Sequence, residues 1–244
     1  MEQILQQMSV TKTSTGANIP FAPWTIKDLL IAACCPLLSA LCFYFLLLVS
    51  FGDTKITLRV ARYVGSLIMI FFPLYWLKRQ YGLSKEAIGL RKGELSLWSH
   101  IFIGVIMAII YSLTIQLTPL KYSSASPDLK SYPIGLLIIA PLSINGFASI
   151  ILAPLSEEIV YRGVIYGYLR TKLKMGYALI LQALLFCFLH YNGAYSNALN
   201  LLIHQFVIGA ILGVLYEKTG SIYSSIVCHG MINYLVGIIF RLAS

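Results

Sequence analysis

The chain has 244 residues, of which 58% are hydrophobic and only 11% charged, a balance that excludes a soluble globular fold and marks an integral membrane protein. Its net charge of +9 does not signal nucleic acid, because the Lys and Arg residues gather in short loops between apolar runs, the pattern of membrane orientation. A hydrocarbon core about 30 Å thick takes about 20 apolar residues per helix, so the prediction is an all-α, polytopic transmembrane helical bundle of about seven spans, between six and eight.

Residues 1–28 read as a polar N-terminal tail, partly disordered and unlike a cleavable signal peptide, with Trp24 and Lys27 as interfacial anchors. Residues 29–132 carry the N-terminal membrane spans. The first runs from about Leu29 to Phe51 and doubles as the insertion signal. The second runs from about Val60 to Leu77, with Arg59 and Arg62 snorkelling to the headgroups, and the third from about Ser99 to Leu117, with His100 solvated at its boundary. Between them lies the densest basic loop, with Lys78, Arg79, Lys85, Arg91 and Lys92, and a polar loop follows at 118–132.

Residues 133–244 form a C-terminal helical core. Pro141 and Pro154 are expected to bend its first helix, which continues to about Leu169 and ends in a basic turn at Arg170, Lys172 and Lys174. Further spans cover about Tyr177 to His190, Leu199 to Tyr216 and Ile222 to Phe240. With seven crossings, the N-terminus, the 78–97 loop, the 170–174 turn and Lys218 share the more basic side, predicted to be the cytoplasmic side of the cell membrane. The five cysteines, Cys34, Cys35, Cys42, Cys187 and Cys228, all fall in apolar spans and read as small buried hydrophobes rather than disulfides or a zinc site.

Ionisable groups survive in a bilayer mainly where they are paired or functional, which singles out Glu157, Glu158, Arg162, His190, His204, His229 and Asn233. Glu158 and Arg162 are four apart and share a helix face, whereas Glu157 is turned about 100° from Glu158 and is the freer carboxylate. Glu157 and His190 lie about 15 and 17 residues either side of the basic turn, so antiparallel neighbours bring them level, roughly 25 Å up. His229 and Asn233 are again four apart on one face. Gly209 and Gly213, on the helix preceding theirs, are spaced to allow close helix approach.

Three chemistries suit such a cluster. A carboxylate and an imidazole can activate water while His and Asn donors hold an oxyanion. Glu and His can hold a zinc ion, although no H-E-x-x-H is present. Carboxylates and histidines can also relay protons in a transporter.

Four motifs in order resemble the CPBP family of CAAX-protease and bacteriocin-processing membrane proteases, also called Abi. Glu157-Glu158-Ile-Val-Tyr-Arg162 is similar to its E-E-x-x-x-R, Phe186-Cys-Phe-Leu-His190 to its F-x-x-x-H, Phe206 with Gly209 and Gly213 to its third motif, and His229-Gly-Met-Ile-Asn233 to its H-x-x-x-N. Tyr161 departs from the Phe common before the Arg and stands four residues from Glu157, within reach of a hydrogen bond. The resemblance implies an intramembrane endopeptidase in which Glu157 and His190 activate water and His229 and Asn233 form the oxyanion hole. Glu158 and Arg162 support them, and Phe186, Phe206, Gly209 and Gly213 pack the helices. It also implies no metal ligand and no cofactor, zinc being the alternative. The implied partners are membrane lipid and a peptide or lipidated protein substrate, in bacteriocin processing, self-immunity or CAAX-type maturation. A non-catalytic immunity or scaffold protein is the rival reading.

Overall fold

The computed structural model describes residues 11–12, 18–19, 22–52, 54–116, 144–190 and 198–242. Among them seven helices run in order: α1 (Ile26–Phe51), α2 (Lys55–Tyr81), α3 (Leu97–Gln116), α4 (residues 144–172), α5 (Met175–Leu189), α6 (Ala198–Thr219) and α7 (Ile222–Leu242). A minimal antiparallel pairing of Thr11–Lys12 with Asn18–Ile19 precedes them. The expected loop at 118–132 and the bend at Pro141 lie outside the described residues. The helical bundle agrees with the composition, but the span count is less simple. Four helices, at 26–51, 55–81, 97–115 and 199–219, are long and apolar enough to cross a membrane, while Met175–Leu189 and Ile222–Ile238 are shorter apolar helices.

The ends of these helices are set by local chemistry. Thr25 and Asp28 form a reciprocal capping box at the start of α1, and Tyr81 at the end of α2 donates its hydroxyl to the same Asp28 carboxylate. Thr54 caps α2 by accepting from Thr57 N–H at 3.0 Å. Outward faces carry large apolar side chains, among them Val49, Phe71, Phe102, Leu113 and Phe188, as a lipid environment demands. Cys34 and Cys42 sit on such exposed faces, so only Cys187 and Cys228 are the buried hydrophobes expected of the whole set.

Helix α4 is the axis of the fold. Residues 159–167 are buried without interruption, and Ile159, Arg162, Val164 and Tyr166 have no exposed surface. The bend expected at Pro154 takes another form: the chain widens into a π turn over Ala148–Leu152 and remains helical. Proline has no N–H for the Ile150 carbonyl four residues back. The backbone of Gly230 on α7 lies against that carbonyl so closely that a Cβ there would come within 2.4 Å of it. A second π segment, Ile159–Tyr166, follows the two glutamates.

Two sequence expectations about polar and aromatic residues are revised. Trp24 is not an interfacial anchor; it is 3% exposed and donates its indole N–H to Val164 O at 3.2 Å, which ties the segment before α1 to α4. His100 is fully buried, not solvated, and bridges Ser224 Oγ (2.8 Å) and Lys92 O (2.5 Å). The basic loop between α2 and α3 is folded into the bundle. Leu83, Ala87 and Ile88 are buried, Gly89 at φ +82° leaves no room for a side chain against the Tyr216 ring, and its carbonyl accepts from Ile222 N–H at 2.9 Å.

Replacing Gly230 by alanine forces α7 away from the Ile150 carbonyl. The expected loss is about 1–3 kcal/mol, read as a lower unfolding midpoint of the purified protein in detergent, and an unchanged midpoint would refute the close-packing account.

Candidate active site

Four helices contribute to one polar cluster. Glu157, Glu158 and Arg162 come from α4, His190 from the C-cap of α5, and His229 from α7, while the Gly209 carbonyl of α6 closes the far side. The two acids take the different partners that their helical spacing predicts. Glu158 and Arg162 are both 0% exposed and pair at 2.8 Å, and Glu157, 20% exposed, turns to His190 instead. Glu157 and His190 lie level, as their equal distances from the basic turn predict, with Oε2 and Nε2 3.1 Å apart.

The protons in this contact can be assigned. His190 Nδ1 lies 2.7 Å from Phe186 O, and a carbonyl only accepts, so Nδ1 carries a hydrogen. A neutral ring would then present a lone pair at Nε2 to a carboxylate oxygen. The 3.1 Å contact therefore requires one further proton, shared between Glu157 and His190.

On the opposite side Glu158 Oε1 accepts from Arg162 Nη1 at 2.8 Å and from His229 Nδ1 at 3.0 Å. His229 Nε2 points towards Glu157, 3.8 Å from Oε2. With Nδ1–H given to Glu158, a neutral His229 has no N–H left for an oxyanion, so the donor role implied for it is open only to the doubly protonated ring. Asn233, four residues on, donates one amide hydrogen to Ser149 O at 2.9 Å and, among the described residues, makes no hydrogen bond with Glu157 or His190.

Phe186 lies at the centre of the cluster rather than simply between two helices. Its fully buried ring lies tilted against His190 (4.2 Å between centroids), meets His229 (5.8 Å) and Tyr161 (4.9 Å), and lies 4.8 Å under the Arg162 guanidinium. Tyr161 does not hydrogen-bond Glu157; it packs edge-on to Phe186 because the π segment turns it there. Phe206 is half-buried and joins none of these rings. Gly209 and Gly213 do permit close approach, but to α5, where added Cβ atoms would meet Ala183 at 3.1 Å and Gln182 and Leu179 at 2.7 Å. His204 sits apart, linked through Nδ1 to Tyr111 on α3 at 2.9 Å.

Sequence reasoning passed over three groups. Gln182 donates to Gly209 O at 2.8 Å, beside the Arg162 Nη2 bond to the same oxygen. Ser149 holds Asn233 through its carbonyl and receives Arg62 at its hydroxyl. Glu217, fully buried, accepts from Tyr166 at 2.5 Å and from Arg170 at 3.0 and 3.1 Å. A lone acid and a lone amide inside apolar runs were the available signals for Glu217 and Gln182. Among the described residues no group of three or more His, Cys, Asp and Glu side chains is placed to hold a metal ion.

The fold and this cluster define a helical membrane protein with a carboxylate–histidine site at the meeting of four helices. Residues 139–235, the stretch that holds the four motifs, are similar to the family described as Type II CAAX prenyl endopeptidase Rce1-like. No curated protein and no solved structure matches the chain.

Removing one partner of the buried ion pair tests its structural weight. Arg162→Met strands the Glu158 charge and is expected to destabilise the protein by about 3–5 kcal/mol. The neutral pair Glu158→Gln/Arg162→Met should recover most of that loss when detergent-solubilised variants are unfolded side by side.

Proposed function

We propose that the protein is an intramembrane endopeptidase that hydrolyses a peptide bond of a membrane-associated peptide or lipidated protein. The observation that carries this reading is the Glu157–His190 contact, which is the most exposed part of an otherwise sealed polar cluster and holds a proton between a base and an acid. In the proposed reaction Glu157, as carboxylate, takes one proton from water as the water oxygen attacks the scissile carbonyl. His190, as imidazolium, delivers its Nε2 proton to the leaving nitrogen. The proton on Glu157 then crosses the 3.1 Å contact to His190 and restores the pair. Stabilisation of the oxyanion comes from the second amide hydrogen of Asn233 on α7.

No step in this scheme needs a metal. The two other classes of chemistry that such residues serve, zinc hydrolysis and proton-coupled transport, make different predictions. Substrates of the prenyl-endopeptidase class are C-terminally prenylated peptides, and processing of secreted bacteriocin-like peptides is the second candidate for the same chemistry.

The test uses purified full-length protein in detergent or liposomes with a farnesylated CAAX-type peptide and an unprenylated hydrophobic peptide library. Glu157→Gln and His190→Ala should each lower cleavage by about 10²–10⁴-fold with the fold retained. Chelators should leave the wild type unaffected. Unchanged cleavage in both variants would end the protease reading, and activity lost with stoichiometric zinc would replace the metal-free mechanism. Proton-driven uptake into liposomes without cleavage would favour the transporter.

The proposed orientation rests on charge. The loop between α2 and α3 reaches the α6–α7 turn through Arg91 Nε to Gly220 O (3.2 Å), and the turn after α4 is tied to α6 through Arg170 and Glu217. The cations of these segments, with Lys78, Lys92, Lys172 and Lys218, thus gather at one end of the bundle, proposed as the cytoplasmic side of the cell membrane. Reporter fusions should place the N-terminus in the cytoplasm; an external N-terminus would reverse the assignment.

A further inference from the structure

The nitrogen of His229 that faces Glu157 has no defined part in the reaction as written. Its chemistry can be read from its surroundings. Glu158 Oε1 accepts from Arg162 Nη1 at 2.8 Å, so it is a carboxylate oxygen with no hydrogen to donate, and the proton on its 3.0 Å contact with His229 belongs to Nδ1. Nε2 is then either a bare lone pair or the second N–H of an imidazolium.

Charge decides between them. Glu157 and Glu158 supply two negative charges, which Arg162 and the proton between Glu157 and His190 already balance. Among the described residues these are the charged groups that touch or flank the ring, with the buried Cys228 thiol next to it in sequence. A second imidazolium would add an uncompensated charge next to a pair that is 0% exposed. The charges of the cluster balance with the ring neutral and Nε2 bare. Nε2 stands 3.8 Å from Glu157 Oε2, too far for a strong direct hydrogen bond and well spaced for one water donating to both.

We infer that Glu158 is a positioning residue that holds His229 in its Nδ1–H tautomer, and that His229 Nε2 is the second acceptor of the nucleophilic water. The inference deepens the endopeptidase reading and rests on it for the water's role. Two acceptors take the two hydrogens of the water and leave its lone pairs facing the scissile carbonyl. One of those hydrogens passes to Glu157 as the oxygen–carbon bond forms; the hydrogen bond to His229 only orients. The oxyanion is left to Asn233, whose second amide hydrogen is not used by Ser149. Glu158 thus does for His229 what a buried carboxylate does for the base of a hydrolytic triad: it fixes which nitrogen is basic.

Two measurements test this on the full chain in detergent micelles. The first is the ¹⁵N spectrum of histidine-labelled protein near neutral pH, with His229 assigned by its loss in His229→Gln. A protonated Nδ1 and a bare Nε2 are expected; a proton on Nε2, in either the other tautomer or an imidazolium, overturns the inference. The second is the kinetics of the neutral pair Glu158→Gln/Arg162→Met on whichever peptide the wild type cleaves. Loss of tautomer control is expected to lower kcat by at least about 10²-fold, with KM within about threefold. A folded double variant with kcat near the wild-type value would reduce Glu158 to a structural anchor and overturn its positioning role. Should that variant fail to fold, the wild-type spectrum still decides. If the wild type cleaves no peptide, the endopeptidase reading fails, while the spectrum still reports the tautomer.

Discussion

The structure depends on keeping one ion pair out of both water and lipid. Glu158 and Arg162 are fully buried in an apolar bundle, where an unpaired charge is worth several kcal/mol of destabilisation. Their mutual contact is not enough, because a guanidinium has five donors and a carboxylate four acceptor sites. The fold meets part of that demand by converging on the pair: His229 from α7 to Glu158, the Gly209 carbonyl of α6 to Arg162, and the Phe186 ring of α5 under the guanidinium. Each of these contacts also locks a helix to α4. The pair therefore sets the relative positions of the four helices that carry the site.

Helix α4 can serve this centre because it is not a regular α-helix. An α-helical turn through Pro154 would clash and leave a carbonyl without its donor. The π turn before the proline and the second π segment after the glutamates absorb the mismatch, and close contacts at Gly230 and Gly163 fill the widened turns. The two carboxylates between these segments are directed to different partners, Glu158 inward to arginine and Glu157 to the more exposed His190.

The basic end of the bundle is built by the same economy of polar contacts. The loop between α2 and α3 uses its backbone and Arg91 to satisfy the α6–α7 turn, and Trp24 fastens the segment before α1 to α4. Glu217, Tyr166 and Arg170 close the α4–α6 seam at that end. The site lies further along the same helices, so packing at the basic end and geometry at the site share a scaffold without sharing residues.

Much of this was legible in the residues alone. Apolar runs separated by cations defined a membrane bundle, and the four-residue spacings of Glu158 with Arg162 and of His229 with Asn233 sorted polar groups by face. Equal distances from the basic turn brought Glu157 to His190. These succeed because helical rise and periodicity are properties of the chain itself. What the sequence could not reveal depends on which helices touch. Gly209 and Gly213 face α5 rather than α7, Asn233 goes to Ser149, and His100 and Trp24 are buried by segments far away in the chain. The proton on His229 belongs to the same class. Residue type and spacing placed that imidazole in the membrane, but only the carboxylate of a neighbouring helix decides which of its nitrogens is basic.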